Sequence, residues 1–133
     1  MNTMNHLLII DDEPSTRKIL EHFLSTDYKI TLKSDGMEAM AWLEEGNETS
    51  LILADLNMPN LNGREFTKVL RSSNLFGDIP VIILSGSDQS KDRIECLNLG
   101  ADDFMIKPFN PEEVKAKIRA ILRRMNSLKK NIF

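Results

Sequence analysis

Leu7-Leu8-Ile9-Ile10-Asp11-Asp12-Glu13-Pro14 sets four aliphatic residues directly against three acids, and a proline follows at once. A strand apolar on every residue has no solvent face, so it belongs inside a parallel sheet with helices on both sides. Pro14 fits the first turn of a helix, where its missing N–H costs nothing. The same grammar recurs downstream. Leu51-Ile52-Leu53-Ala54 stops at Asp55, Val81-Ile82-Ile83-Leu84 stops at Ser85, and Phe104-Met105-Ile106 stops at Lys107-Pro108. Tyr28 to Leu32 alternates instead, with Ile30 and Leu32 on one face.

Helix-period segments fill the gaps. Ile19, Leu20, Phe23 and Leu24 form the stripe of the first helix, and Met37, Met40, Ala41 and Trp42 mark a second that ends near Gly46. Phe66, Val69 and Leu70 face inward on the third, while Ile94, Cys96 and Leu97 are expected buried in a fourth over residues 88–99, closed by Gly100. Asn110-Pro111-Glu112-Glu113 opens the last helix with a cap, a first-turn proline and a capping-box glutamate, followed by Val114, Ile118, Ile121 and Leu122. Five strands alternating with five helices make an α/β domain with a parallel sheet. Residues 1–125 are read as this domain and 126–133 as a frayed tail or linker.

Composition removes several function classes. With 133 residues and 41% hydrophobic content there is material for one core. Cys96 stands alone and only His6 and His22 offer imidazoles, which excludes an internal disulfide and a cysteine- or histidine-rich metal centre. No run approaches a membrane span, and Met1 to His6 has no leader pattern, so a reducing cytoplasm is the expected setting. Residues 111–133 carry seven Lys/Arg against two Glu, leaving −8 on the rest of a chain whose net charge is −3. No aromatics interleave with those cations, so they read as a solvated helix face and not as a nucleic-acid footprint.

Ligands of open parallel sheets bind beyond the carboxyl ends of the strands. Here those ends carry Asp11 and Asp12, Asp55, Ser85 and Lys107. Each has a bland reading: a helix cap for Asp11 or Asp12, a turn for Asp55 and Ser85, a surface lysine for Lys107. A single cap needs one acid, however, and crowded carboxylates repel unless a cation sits among them. Together the strand ends make a cation site beside an anion site.

Over residues 5–124 the chain resembles the receiver domains of two-component response regulators. The resemblance rests on Leu-Leu-Ile-Ile-Asp11-Asp12-Glu13, Asp55-Leu-Asn-Met-Pro-Asn-Leu-Asn-Gly63, Val-Ile-Ile-Leu-Ser85-Gly86 and Gly100-Ala-Asp-Asp-Phe-Met-Ile-Lys107-Pro108-Phe109. It implies a flavodoxin-like, doubly wound sheet in strand order 2-1-3-4-5. It implies that Asp55 takes a phosphoryl group from a phosphohistidine of a partner kinase or phosphotransfer protein. Mg²⁺ would be held by one of Asp11 and Asp12 directly and the other through water, by Asp55, and by the main-chain carbonyl of Asn57. Lys107, after a cis bond to Pro108, would pair with the phosphoryl oxygens, and Ser85 would donate to one of them. The implied switch moves Ser85 and rotates Phe104 inward, altering a face of helix four, strand five and helix five that offers a homodimer or effector contact. Its charges are Lys91, Asp92, Arg93, Glu95, Asp102, Asp103, Lys115, Lys117 and Arg119. No membrane or direct nucleic-acid contact, and no turnover of other substrates, is expected.

Departures from the family pattern are mild: Ser85 in place of the more frequent threonine, Phe104 in place of tyrosine, and a small Ala54 before the acceptor. A haloacid-dehalogenase-type phosphohydrolase would need an acid two residues after Asp55, where Asn57 stands and cannot shuttle protons. A pseudo-receiver acting by contacts alone has no need of the acids and the lysine this chain retains.

Overall fold

The computed structural model describes residues 5–131, and their side chains through residue 128. The apolar runs form β1 (His6–Ile10), β2 (Lys29–Lys33), β3 (Leu51–Asp55), β4 (Val81–Ser85) and β5 (Asp103–Ile106). They pair in parallel in the order β2-β1-β3-β4-β5. Between them lie α1 (Pro14–Leu24), α2 (Gly36–Glu44), α3 (Gly63–Arg71) and α4 (Ser90–Asn98), and α5 (Pro111–Asn131) follows β5. The strand order reverses between β1 and β3, the place where this class of sheet opens a crevice.

Alternation along the strands splits the core into two layers. Leu8, Ile10, Ile52, Ala54, Ile83 and Phe104 meet Ala39, Leu43, Phe66 and Leu70 from α2 and α3, together with Cys96 of α4. Leu7, Ile9, Leu53, Leu84 and Met105 meet Leu20 and Leu24 of α1 and Val114, Ile118 and Ile121 of α5. Every residue of β3 and β4 is buried, as their unbroken apolar runs require.

Several helix faces differ from the periodic expectation. On α1 the buried pair is Leu20 and Leu24, and Ile19 is exposed. On α3 Thr67 is buried and Val69 is exposed; the Thr67 hydroxyl donates to the Gly63 carbonyl, which satisfies it inside the core. The largest departure is α4. Only Cys96 is buried there, and Ile94 and Leu97 are 55% and 42% exposed. A helix laid over the β4–β5 edge has less sheet beneath it than one over the centre, so a single buried position seats it.

The caps also sort differently. A capping box joins Asn62 and Glu65 at the start of α3, and Asp35 caps α2 through the Glu38 N–H at 2.9 Å. At α5 the Asn110 side chain accepts from Glu112 N–H at 2.9 Å, while the Glu113 N–H bonds the Asn110 carbonyl. That cap works without the expected box. Helix α5 runs on through Asn131, past the boundary at residue 125 expected from sequence. Neither glycine nor proline interrupts residues 112–131, so nothing stops the helix there. Ile132 and Phe133, the end of that expected tail, lie outside the described residues.

Candidate functional site

Ladder bonds carry the strand geometry one residue past β1 and β5. Asp11 N–H donates to the Lys33 carbonyl at 3.1 Å, and Lys107 N–H to the Ser85 carbonyl at 2.7 Å. By alternation Asp11, Asp55 and Lys107 then share the sheet face that carries α1 and α5, while Ser85 and Phe104 share the other. Asp55 is 5% exposed and Asp11 is completely buried, whereas Asp12 is open to solvent.

Neither Asp11 nor Asp12 caps α1. That position belongs to Glu13, whose side chain makes no capping bond. Asp11 Oδ1 instead accepts the Glu13 N–H at 2.9 Å, which orients its carboxylate. One carboxylate oxygen from each of Asp11, Asp12 and Asp55 lies within 4.8 Å of the others. The Lys107 ammonium donates to Asp11 Oδ2 at 2.9 Å and to Asp55 Oδ1 at 3.1 Å, and the Lys107–Pro108 bond is cis.

Two acids share one ammonium beside a third, and the electrostatics follow. Burial, then the neighbouring Asp11 carboxylate, push Asp55 up to about 6, against the pull of Lys107. Burial on its own would lower Lys107, but the hydrogen bonds and charges of Asp11 and Asp55 outweigh it and raise its pKa. A carboxylate so placed gains from any further positive charge. All-oxygen donors, two of them on buried strand ends and one facing water, suit a small hard cation that keeps part of its hydration shell. The donor set fits Mg²⁺.

The loop after Asp55 is shaped to approach closely. A Cβ on Gly63 would stand 2.6 Å from the Asp55 carbonyl oxygen, so the start of α3 can lie against the acceptor strand only with glycine there. Asn60 and Leu61 have positive φ, and the Asn60 side-chain amide donates to Asp35 Oδ2 at 3.2 Å. Asn57, whose carbonyl is the expected fourth metal donor, lies exposed at the head of this loop.

A family model described as the response regulator receiver domain matches residues 7–119. The chain belongs to that family. It is 40% identical over 119 residues to the alkaline phosphatase synthesis transcriptional regulatory protein PhoP of Bacillus subtilis (strain 168), covering 89% of this chain and 48% of that protein. It is 35% identical over 123 residues to response regulator Rre1 of Synechocystis sp., covering 91% and 53%. The chain thus spans about half the length of the curated relatives it matches. Among solved structures it superimposes on the receiver domain of the Francisella response regulator 1452 with a TM-score of 0.83 at 32% identity, over 91% of this chain and 98% of that one. The chemotaxis response regulator CheY4 of Vibrio cholerae gives 0.83 at 30%, over 90% and 99%.

Within this receiver domain, Asp11, Asp12, Asp55 and Lys107 converge as the sequence suggested. Ser85 does not yet join them. It is fully buried at the end of β4, and its Oγ accepts the Ser87 N–H at 2.9 Å. Phe104, expected to turn inward only on switching, is 7% exposed already. It is paired with Ile83 in register and packed in the same layer as Cys96 and Ala101. Sequence reasoning missed the arginines. Arg71 binds the Gly100, Gly77 and Ile79 carbonyls and Asp102, and Arg64 reaches α4. Neither lies in a motif, and only their partners, 28 to 31 residues away where they are on other elements, reveal them.

Proposed function

We propose that this receiver domain is a phosphorylation-dependent switch in which Asp55 accepts a phosphoryl group from the phosphohistidine of a partner histidine kinase or phosphotransfer protein. One observation carries the reading: a nearly buried carboxylate faces two further acids and a lysine ammonium 3.1 Å away. In the transfer an Asp55 carboxylate oxygen bonds to phosphorus as the bond to the imidazole nitrogen breaks, and its electron pair stays on the ring. Asp11, Asp12, Asp55 and the Asn57 main-chain carbonyl would hold Mg²⁺, which supplies the positive charge that lets an anionic acceptor meet an anionic phosphoryl group. Lys107 keeps its ammonium between Asp11 and Asp55 and pairs with phosphoryl oxygens as they arrive. Ser85 Oγ accepts from Ser87 N–H and keeps its own proton, which it would donate to one of those oxygens on moving toward Asp55. Asp55, with a pKa of about 6, is ionised and nucleophilic at neutral pH. The domain so read turns over only its own acyl phosphate and is not an enzyme acting on other substrates.

Several of the charges expected on the output face of α4, β5 and α5 have partners within the chain. Asp102, Asp103 and Lys115 already pair within the chain, with Arg71, Lys117 and Glu112, and Asp92 and Glu95 with Arg64. Exposed Ile94, Leu97 and Ile106 remain as its apolar surface. That surface supports contact with a second copy or an effector segment, and the transcriptional relatives make a regulator's output module the natural recipient. Incubation with acetyl phosphate tests the acceptor. The chain should gain one phosphoryl group with Mg²⁺, none after chelation and none as Asp55→Asn; labelling that survives in Asp55→Asn rejects the assignment.

A further inference from the structure

A continuous set of hydrogen bonds leads from the buried Ser85 hydroxyl out to α4. Ser85 Oγ accepts the Ser87 N–H at 2.9 Å, and the Ser87 hydroxyl donates to Asp92 Oδ2 at 2.5 Å. Asp92 Oδ1 in turn receives Arg64 Nη2 at 2.7 Å, and Arg64 Nε pairs with Glu95 Oε1 at 2.5 Å. The Ser87 hydroxyl holds the Asp92 carboxyl below its ordinary range, and Arg64 adds to this against a burial effect of opposite sign. Arg64 thus grips α4 at two carboxylates one turn apart.

The anchor itself is fixed. Arg64 follows Gly63, where α3 lies so close to the acceptor strand that a single methyl would meet the Asp55 carbonyl. The capping box of Asn62 and Glu65 ties down the same turn. By contrast, α4 buries only Cys96, and a side chain at Gly86, in the link between β4 and α4, would meet no neighbouring atom. A rotation of the side chain that carries Ser85 Oγ toward a group on Asp55 moves the acceptor of Ser87 N–H, and Ser87 carries the bond to Asp92.

We propose that Arg64 is a latch which, through Asp92 and Glu95, holds α4 in the position it has here and sets how much of the acceptor's binding energy is spent on moving that helix. This rests on the reading of Asp55 as phosphoryl acceptor. The latch is a regulatory element and touches neither the phosphoryl group nor the metal donors. A ligand that binds the switched state better must first shift the latched equilibrium, so loosening the latch raises its apparent affinity.

Beryllofluoride with Mg²⁺, as a phosphoryl mimic on the full chain, tests this. Arg64→Met keeps the packing of the stem and removes the charge; it should bind the mimic about three- to tenfold more tightly than the parent, the scale of two part-exposed ion pairs. Amides of Ser90–Asn98 should exchange faster in the variant without mimic, while those of α2 stay as they were. Asp92→Asn should reproduce the gain, and the double variant should gain no more than either alone. Parental affinity in Arg64→Met overturns the latch and leaves the acceptor reading intact, as does an additive double variant. A parent that does not bind the mimic overturns both.

Discussion

The centre of the sheet and its α4 flank are held together by different forces. Under α1, α2 and α5 the strands are sealed by buried aliphatics, and β3 and β4 have no exposed residue. Helix α4 rests on one buried cysteine and on part-exposed ion pairs from Arg64. The acceptor stands on the rigid part and the outward apolar patch on the loosely seated part. Chemistry that needs fixed distances and a surface that needs to move are thereby kept on separate elements of one small domain.

Core truncation should show the contrast at its largest. Leu53→Ala, on fully buried β3, should cost about 4 kcal/mol in urea denaturation, while Ile94→Ala on α4 should change stability by less than about 0.5 kcal/mol. Comparable losses at both positions would erase the distinction between the regions.

Removing the ammonium comes next. Lys107→Ala leaves the completely buried Asp11 facing Asp55 with no counter-charge. It should cost about 2 to 3 kcal/mol in metal-free protein, somewhat below a fully enclosed pair because Asp12 opens the site to water. Added Mg²⁺ should recover part of the loss.

A smaller effect has a definite pH signature. Asp55 is raised from 3.8 to about 6, so in metal-free protein its ionisation works against folding. The folded state keeps the proton to about pH 6 and the unfolded state loses it near 4, so the parent loses stability as pH rises through that window. Asp55→Asn should therefore be more stable than the parent by about 1 to 2 kcal/mol at pH 7.5, and the gain should fade as pH falls from 6 toward 4. Thermal melts across that range would check it; a gain that grows on acidification contradicts the charge crowding.

The strand-to-polar transitions made both the sheet and the site legible in the sequence. Four apolar runs ended at Asp11, Asp55, Ser85 and Lys107, and a parallel sheet puts such ends on one edge. Helix faces were less legible, because periodicity says which residues align and not how much sheet lies beneath them; Ile94 and Leu97 are aligned yet exposed. The capping box at the start of α3 has a sequence pattern, Asn62-x-x-Glu65, that straddles the end of the Asp55–Gly63 motif. Arg64 and Arg71 had no local signal, since their partners come from other turns of the chain. The inward Phe104 was not foreseeable either, as its rotamer depends on the packing around Cys96 and Ala101.

Amide chemical shifts recorded before and after beryllofluoride addition test the division of labour most directly. The account predicts that changes concentrate at Asp55, in residues 85–107 and along α4, while the amides of β1 below Asp11 and of α2 stay near their starting positions. Changes confined to the neighbourhood of Asp55 with α4 unmoved, or spread evenly over α2 and α4 alike, would contradict it.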